Sequence, residues 1–247
     1  MTEGNAETTM LAFPASGDSV ARLFRFTLLR TRMSSDHAPR APDADPAWIA
    51  AHPRVQRVPS RELTLFIQRQ FLSQAECAAL IERIEEKRRP STIADANGDD
   101  AFRTSETCDL DMSDPFVAEI DARLAAFAGI DPAHGEPIQG QRYAAGQEFK
   151  AHTDFFDPQG EDFVRYCSVA GNRTWTLMVY LNQPAAGGAT RFVRIGKTVQ
   201  PETGKLLAWN NRGQAGRCND ASMHHGMKVR SGVKHIITKW YRERPWG

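Results

Sequence analysis

His152 and Asp154 stand two residues apart at the end of Tyr143-Ala-Ala-Gly-Gln-Glu-Phe-Lys-Ala-His152-Thr-Asp154, and the adjacent pair His224 and His225 follows roughly seventy residues later. In an extended strand, residues i and i+2 project to one face, about 6–7 Å apart along the backbone. The imidazole and the carboxylate could therefore meet one metal, with a distant histidine closing the triangle. Two imidazoles and one carboxylate on one side of an octahedral ion leave three positions open, an arrangement that suits oxygen-activating non-heme Fe(II). The same donors also suit catalytic zinc. His224 and His225 face opposite sides of an extended segment, so only one of them serves. Lys234, a little further on, is a cation that would hold an anionic co-substrate.

Short strands must carry these donors. After Pro137, β-type runs separated by Gly, Pro and Asn occupy 138–144, 148–155, 174–182, 189–194, 197–200, 204–210, 222–229 and 233–242. Eight short strands with turn signals between them imply a sandwich or a barrel. Upstream, the run from Leu63 to Leu72 reads as a strand, and Ser73-Gln-Ala-Glu76 is a capping box that opens an amphipathic helix to about Lys87. Residues 88–102, with Pro90 and Asn97-Gly98, read as a polar loop. A second helix is expected over about Asp114 to Ala128, with Ser113 as cap, Pro115 in the first turn and Gly129 as the stop. Its apolar stripe of Phe116, Ile120, Leu124 and Phe127 is expected to pack on a sheet.

Composition narrows the partner. The chain has 247 residues and a net charge of +1, so it carries no electrostatic footprint for nucleic acid or an anionic membrane. Cys77, Cys108, Cys167 and Cys218 lack paired metal-type spacing and read as reduced thiols. No run of eighteen apolar residues occurs, so no membrane span is expected and a cytoplasmic location is. Residues 1–60, rich in Ala, Pro, Asp, Ser and Arg, read as a partly flexible N-terminal extension, with Val20–Met33 as a short basic helix. The catalytic domain is expected over 61–247.

Four ordered blocks resemble the prolyl 4-hydroxylase family of Fe(II)- and 2-oxoglutarate-dependent dioxygenases. The family's Y-x-x-G-Q-x-[YF]-x-x-H-x-D stands as Tyr143, Gly146, Gln147, Phe149, His152 and Asp154. A second block runs from Gly171 through Arg173 to Tyr180 and on to Gly187, Gly188, Thr190 and Phe192. Pro201, Gly204, Trp209 and Asn211 supply P-x-x-G and aromatic-x-N, and His224, Gly232, Lys234 and Trp240 close the match. The resemblance implies a mainly β (α+β) fold, a double-stranded β-helix or jelly roll buttressed by N-terminal helices. It also implies a ligand set of His152, Asp154 and His224, because the family's intervals to Trp209 and Lys234 select His224 over His225.

The family's chemistry would be hydroxylation of an unactivated C–H bond with Fe(II), O2 and 2-oxoglutarate, releasing succinate and CO2, with ascorbate supporting activity. Lys234, Tyr143 and Thr190 would hold 2-oxoglutarate. Arg103, Ser105, Phe149, Arg173 and Trp240 would meet the substrate, a prolyl residue in a peptide or protein. Phe149 replaces the family's usual tyrosine, Asp109 stands where an aromatic is frequent, and Arg242 where some members have histidine. These departures would also admit a free amino acid or small metabolite. A non-catalytic metal-binding jelly roll is the distant alternative, disfavoured by the retained ligands and Lys234. Oligomeric state is not legible.

Overall fold

In the computed structural model, which describes residues 44–91, 102–213 and 216–247, the two long helices form where the sequence supplies caps. Chain order is α1 (Pro46–Ala50), β1 (Val55–Arg57), β2 (Leu65–Gln68), α2 (Gln74–Lys87), β3 (Arg89–Pro90), β4 (Glu106–Asp109), α3 (Pro115–Ala128), β5 (Gln139–Tyr143), β6 (Phe149–His152), α4 (Asp162–Cys167), β7 (Arg173–Tyr180), β8 (Ala186–Gly187), β9 (Thr190–Phe192), β10 (Lys197–Val199), β11 (Leu206–Asn210), β12 (His224–Gly226), β13 (Val229–Ser231) and β14 (Lys234–Arg242). At α2 the capping box closes reciprocally: the Ser73 hydroxyl accepts from the Glu76 N–H at 3.2 Å, and the Glu76 carboxylate accepts from the Ser73 N–H at 2.7 Å. The cap of α3 is Asp114 rather than Ser113. Pro115 fills the first helical position and needs no acceptor, so the Asp114 carboxylate takes the next free N–H, that of Phe116, at 2.8 Å. Gly129 ends that helix at φ 67°, a left-handed conformation that glycine adopts without strain.

Two antiparallel sheets form the body. The larger has the order β1-β2-β11-β7-β14-β5-β4-β3, the smaller β10-β9-β12-β6, and β13 pairs with β8. Alternation along β7 divides the core. Trp175, Leu177 and Val179 join Leu80, Ile84, Ile120 and Leu124 of the two long helices on one face of the large sheet. Met178 and Tyr180 join Phe192, Leu207 and Trp209 in a second cluster, which lies between the sheets. This is the expected jelly-roll arrangement, with α2 and α3 as its buttress.

Several expectations are corrected. The folded unit reaches upstream of residue 60: Ala44 and Ile49 are buried in the first core cluster, and β1 pairs with β2. Among the described residues between 138 and 242 there are ten strands, not eight. The short pair partner β8 is additional, and 222–229 divides into a 3-10 turn at Asp220–Ser222, β12 and the start of β13. The strand expected over 148–155 stops at His152. The proposed helix at Val20–Met33 lies outside the described residues. All four cysteines are free, and no helix among the described residues is long and apolar enough to cross a membrane.

Candidate metal centre

His152 ends β6 and His224 begins β12, and the two lie directly opposite each other in the antiparallel register. Sequence separation is thus converted to cross-strand adjacency, with ring centroids 4.3 Å apart. Each ring is held by its Nδ1, which donates to a backbone carbonyl two residues back: Lys150 O at 2.7 Å for His152 and Ser222 O at 3.0 Å for His224. With the proton on Nδ1, both Nε2 lone pairs face inward. Asp154, just past the strand, completes the group. Its Oδ1 lies 3.9 Å from His152 Nε2 and its Oδ2 3.9 Å from His224 Nε2, and one donor atom from each residue falls within 4.8 Å of the others. His225, on the other face, pairs with Glu148 at 2.9 Å. The backbone therefore makes the choice between the adjacent histidines.

Electrostatics prepare this group to accept a cation. Burial, and then the neighbouring His224, depress the His152 pKa to about 3, so its imidazole is neutral. Burial works to raise the Asp154 carboxyl, but His224, His152, Arg173 and the Thr176 hydroxyl outweigh it and hold it below the usual carboxylate range. A neutral imidazole at His152 and an ionised carboxylate at Asp154 are the protonation states a divalent ion requires of them. The donor set fits Fe(II), since no thiolate is present to draw the site toward softer ions.

Lys234 opens β14 opposite Tyr143 and is 1% exposed. Its ammonium lies 4.8 Å from the Tyr143 ring centroid and 5.6 Å from that of Tyr180. Among the described residues no carboxylate pairs with it, and burial lowers its pKa to about 7. A desolvated cation without a counter-ion, on the same cavity as the triad, calls for an anionic ligand. The Tyr143 hydroxyl donates to Gln141 Oε1 at 2.6 Å, and Thr190 accepts from the Tyr180 hydroxyl at 2.6 Å. Gln141 and Thr176 were not singled out by sequence, and Tyr180 stood in a family block without a role assigned to it. The inward phase of β7, which ends on the buried Tyr180 and carries Thr176 four residues earlier, is the signal that could have found two of them.

The remaining expected residues divide into two groups. Phe149 stacks on His152 with centroids 3.5 Å apart, and the Arg103 guanidinium lies 4.8 Å from the Phe149 centroid. Arg103 donates to Ser105 at 3.1 Å, Thr107 at 3.2 Å and Gln139 at 3.0 Å, so its hydrogen-bond partners among the described residues are all neutral. Arg173 instead forks onto Glu136 at 2.7 and 2.8 Å and lies 3.9 Å from the Trp240 ring centroid. Arg242 also engages Glu136, at 2.7 Å, together with the Gly171 carbonyl at 2.7 Å. Both arginines are thus committed to fixed partners behind Trp240, which itself lines the cavity. Cavity size does not locate the centre: a groove of about 300 Å³ beside α2, β4 and α3 exceeds the roughly 30 Å³ at the triad. The smaller space suits an ion.

The profile of the 2OG-Fe(II) oxygenase superfamily matches residues 138–242, which span every strand that carries the triad and Lys234. Prolyl 4-hydroxylase subunit alpha-1 of Rattus norvegicus is 31% identical over 144 residues, covering 58% of this chain and 27% of that protein. Subunit alpha-3 of the same organism is 33% identical over 145 residues, covering 58% and 26%. The chain therefore spans about a quarter of the length of these curated relatives. Among solved structures, a viral collagen prolyl hydroxylase from Paramecium Bursaria Chlorella virus-1, in complex with 2OG, superposes with a TM-score of 0.56 at 25% identity. That match covers 72% of this chain and 95% of the viral one. A Pseudomonas putida prolyl-4-hydroxylase shares the fold, with a TM-score of 0.51 at 19% identity over 81% of this chain and 98% of that one.

Proposed function

We propose that this chain, whose residues 138–242 match the 2OG-Fe(II) oxygenase superfamily, is a member of it and hydroxylates a prolyl residue of a peptide or protein. In this reaction 2-oxoglutarate and O2 are consumed and succinate and CO2 released. The observation that carries the reading is the pairing, on one cavity, of the His152–Asp154–His224 group with the buried, counter-ion-free Lys234. Fe(II) held by His152 Nε2, Asp154 and His224 Nε2 would supply oxygen activation coupled to decarboxylation of the 2-oxoacid. The chain's own residues do the rest. Lys234 forms a charge-assisted bond to the distal carboxylate of the co-substrate. Tyr143 and Thr190 flank that carboxylate and position it, once Tyr143 releases Gln141. Trp209 and Phe192, 1% and 0% exposed, keep water from the triad. Asp154 keeps the third ligand position occupied by carboxylate, which favours hydroxylation, because relatives that halogenate carry a small residue there to admit chloride.

On the substrate side, Phe149 and Trp240 line the cavity, Arg103 and Ser105 would meet the substrate beside Phe149, and Arg173 acts by holding Trp240 in place. The test is succinate formation by purified protein with Fe(II), ascorbate and 2-oxoglutarate, under air and under argon, with proline-rich peptides or free proline. Oxygen-dependent succinate stimulated by the peptide is expected. Stimulation by free proline alone would replace the peptide substrate with a small metabolite, and absence of oxygen-dependent succinate under every condition would refute the enzyme.

A further inference from the structure

Thr176 lies in the middle of β7 on the side facing the smaller sheet, and Asn211 follows β11, whose Trp209 is the register partner of Thr176. Both are 0% exposed. The Thr176 hydroxyl donates to Asp154 Oδ2 at 2.7 Å, and the Asn211 amide donates to Thr176 Oγ1 at 2.8 Å. The polarity of this chain is fixed from its far end. An ionised carboxylate only accepts, so the single hydroxyl proton goes to Asp154, and Asn211 must present its N–H to the hydroxyl oxygen. Asn211 holds this place although its own Oδ1 is buried without a partner among the described residues, a penalty an apolar residue would avoid. Its backbone N–H bonds the Thr174 carbonyl at 2.8 Å, which fixes the origin of the relay.

We infer that Thr176 and Asn211 are positioning residues that restrict Asp154 to one-oxygen ligation, a role that rests on His152, Asp154 and His224 being the metal set. Oδ2 is tethered to the larger sheet, while no hydrogen bond from the described residues reaches Oδ1. The Asp154 carbonyl is held as well, by Arg173 Nη1 at 3.3 Å. A carboxylate fixed at one oxygen and at its backbone does not turn to chelate with both oxygens, and the coordination position that chelation would occupy stays available for ligands. A packing network of the same residues would stabilise the sheet without influencing the metal.

The two are separated by anaerobic titration of the full chain with Co(II), read by visible absorption, alongside thermal melts without metal. Thr176→Val, which removes the hydroxyl and keeps the shape, is expected to weaken Co(II) binding about 10–100-fold and to alter the visible band envelope as Asp154 turns. Thr176→Ser is expected to restore both. Wild-type affinity and spectrum in Thr176→Val, or equal weakening in Thr176→Ser, overturns the relay. Should Thr176→Val not fold, Asn211→Ala decides, since the freed hydroxyl then wanders and binding weakens; unchanged binding overturns the role. Asp154→Ala is the control for the underlying reading: if it binds Co(II) as tightly as wild type, the metal set itself is wrong.

Discussion

Lys234 concentrates the residue-scale chemistry. Burial lowers its pKa from 10.5 to about 7, and a bound carboxylate reverses that by favouring the ammonium. Below pH 7 the group is already charged, so binding needs no proton from it. Above pH 7 each binding event must take one up, and affinity for 2-oxoglutarate should decline by up to tenfold per unit. Calorimetry with Fe(II), without oxygen, in phosphate and in Tris at pH 8.5 should give heats that differ by the buffers' ionisation enthalpies. Identical heats would rule out the coupling. Lys234→Ala should abolish the buffer dependence and raise the requirement for 2-oxoglutarate by a factor corresponding to about 1.5–3 kcal/mol. For the ligand-free fold the sign is separate: the unfolded chain keeps its proton up to about 10.5, so this residue's contribution to stability rises between pH 7 and 10.5. The H-x-D spacing singled out His152 and Asp154 and the family's intervals singled out His224, although Asp154 lies past the end of the strand rather than in it. The Thr176–Asn211 relay was not legible, since hydrogen-bond polarity depends on partners supplied by other strands.

Elements were legible where their signals are local. The Ser73 capping box uses residues three apart and forms as read. Ser73→Ala should cost about 1 kcal/mol in urea unfolding while leaving metal binding unchanged, because α2 lies across the large sheet from the triad; an unaltered midpoint would mean the cap contributes nothing. The α3 cap moved to Asp114 because Pro115 dictated the frame, and Asp114 also pairs with Arg83 of α2 at 2.7 Å. Strand ends were less legible. His152 closes β6 where the chain must leave the ladder to bring Asp154 inward, a constraint set by the opposing sheet and not by β propensity.

For the whole molecule, composition placed the domain boundary near residue 60, but Ile49 is fully buried. One apolar side chain in a polar, proline-rich stretch is too faint a signal to override its surroundings. Strand order was equally illegible, because β2 pairs with β11 across some 140 residues. Helix and sheet are joined by a buried ion pair that sequence gave no reason to expect: Lys239 of β14 meets Asp121 of α3 at 2.5 Å. Lys239→Met should strand that carboxylate and cost about 3–5 kcal/mol, while Lys239→Met with Asp121→Leu should recover most of the loss. Chemical denaturation of both variants checks this, and equal instability of the double variant would argue against the pair as the source. The pairing of His152 with His224 inside one small sheet has a consequence for assembly. Two donors form a half-site as soon as that sheet forms, whereas Asp154 reaches them only when it is tied through Thr176 to the other layer. Metal affinity is therefore a gauge of sandwich closure: a chain with its layers apart holds the ion by two teeth of a three-toothed clasp.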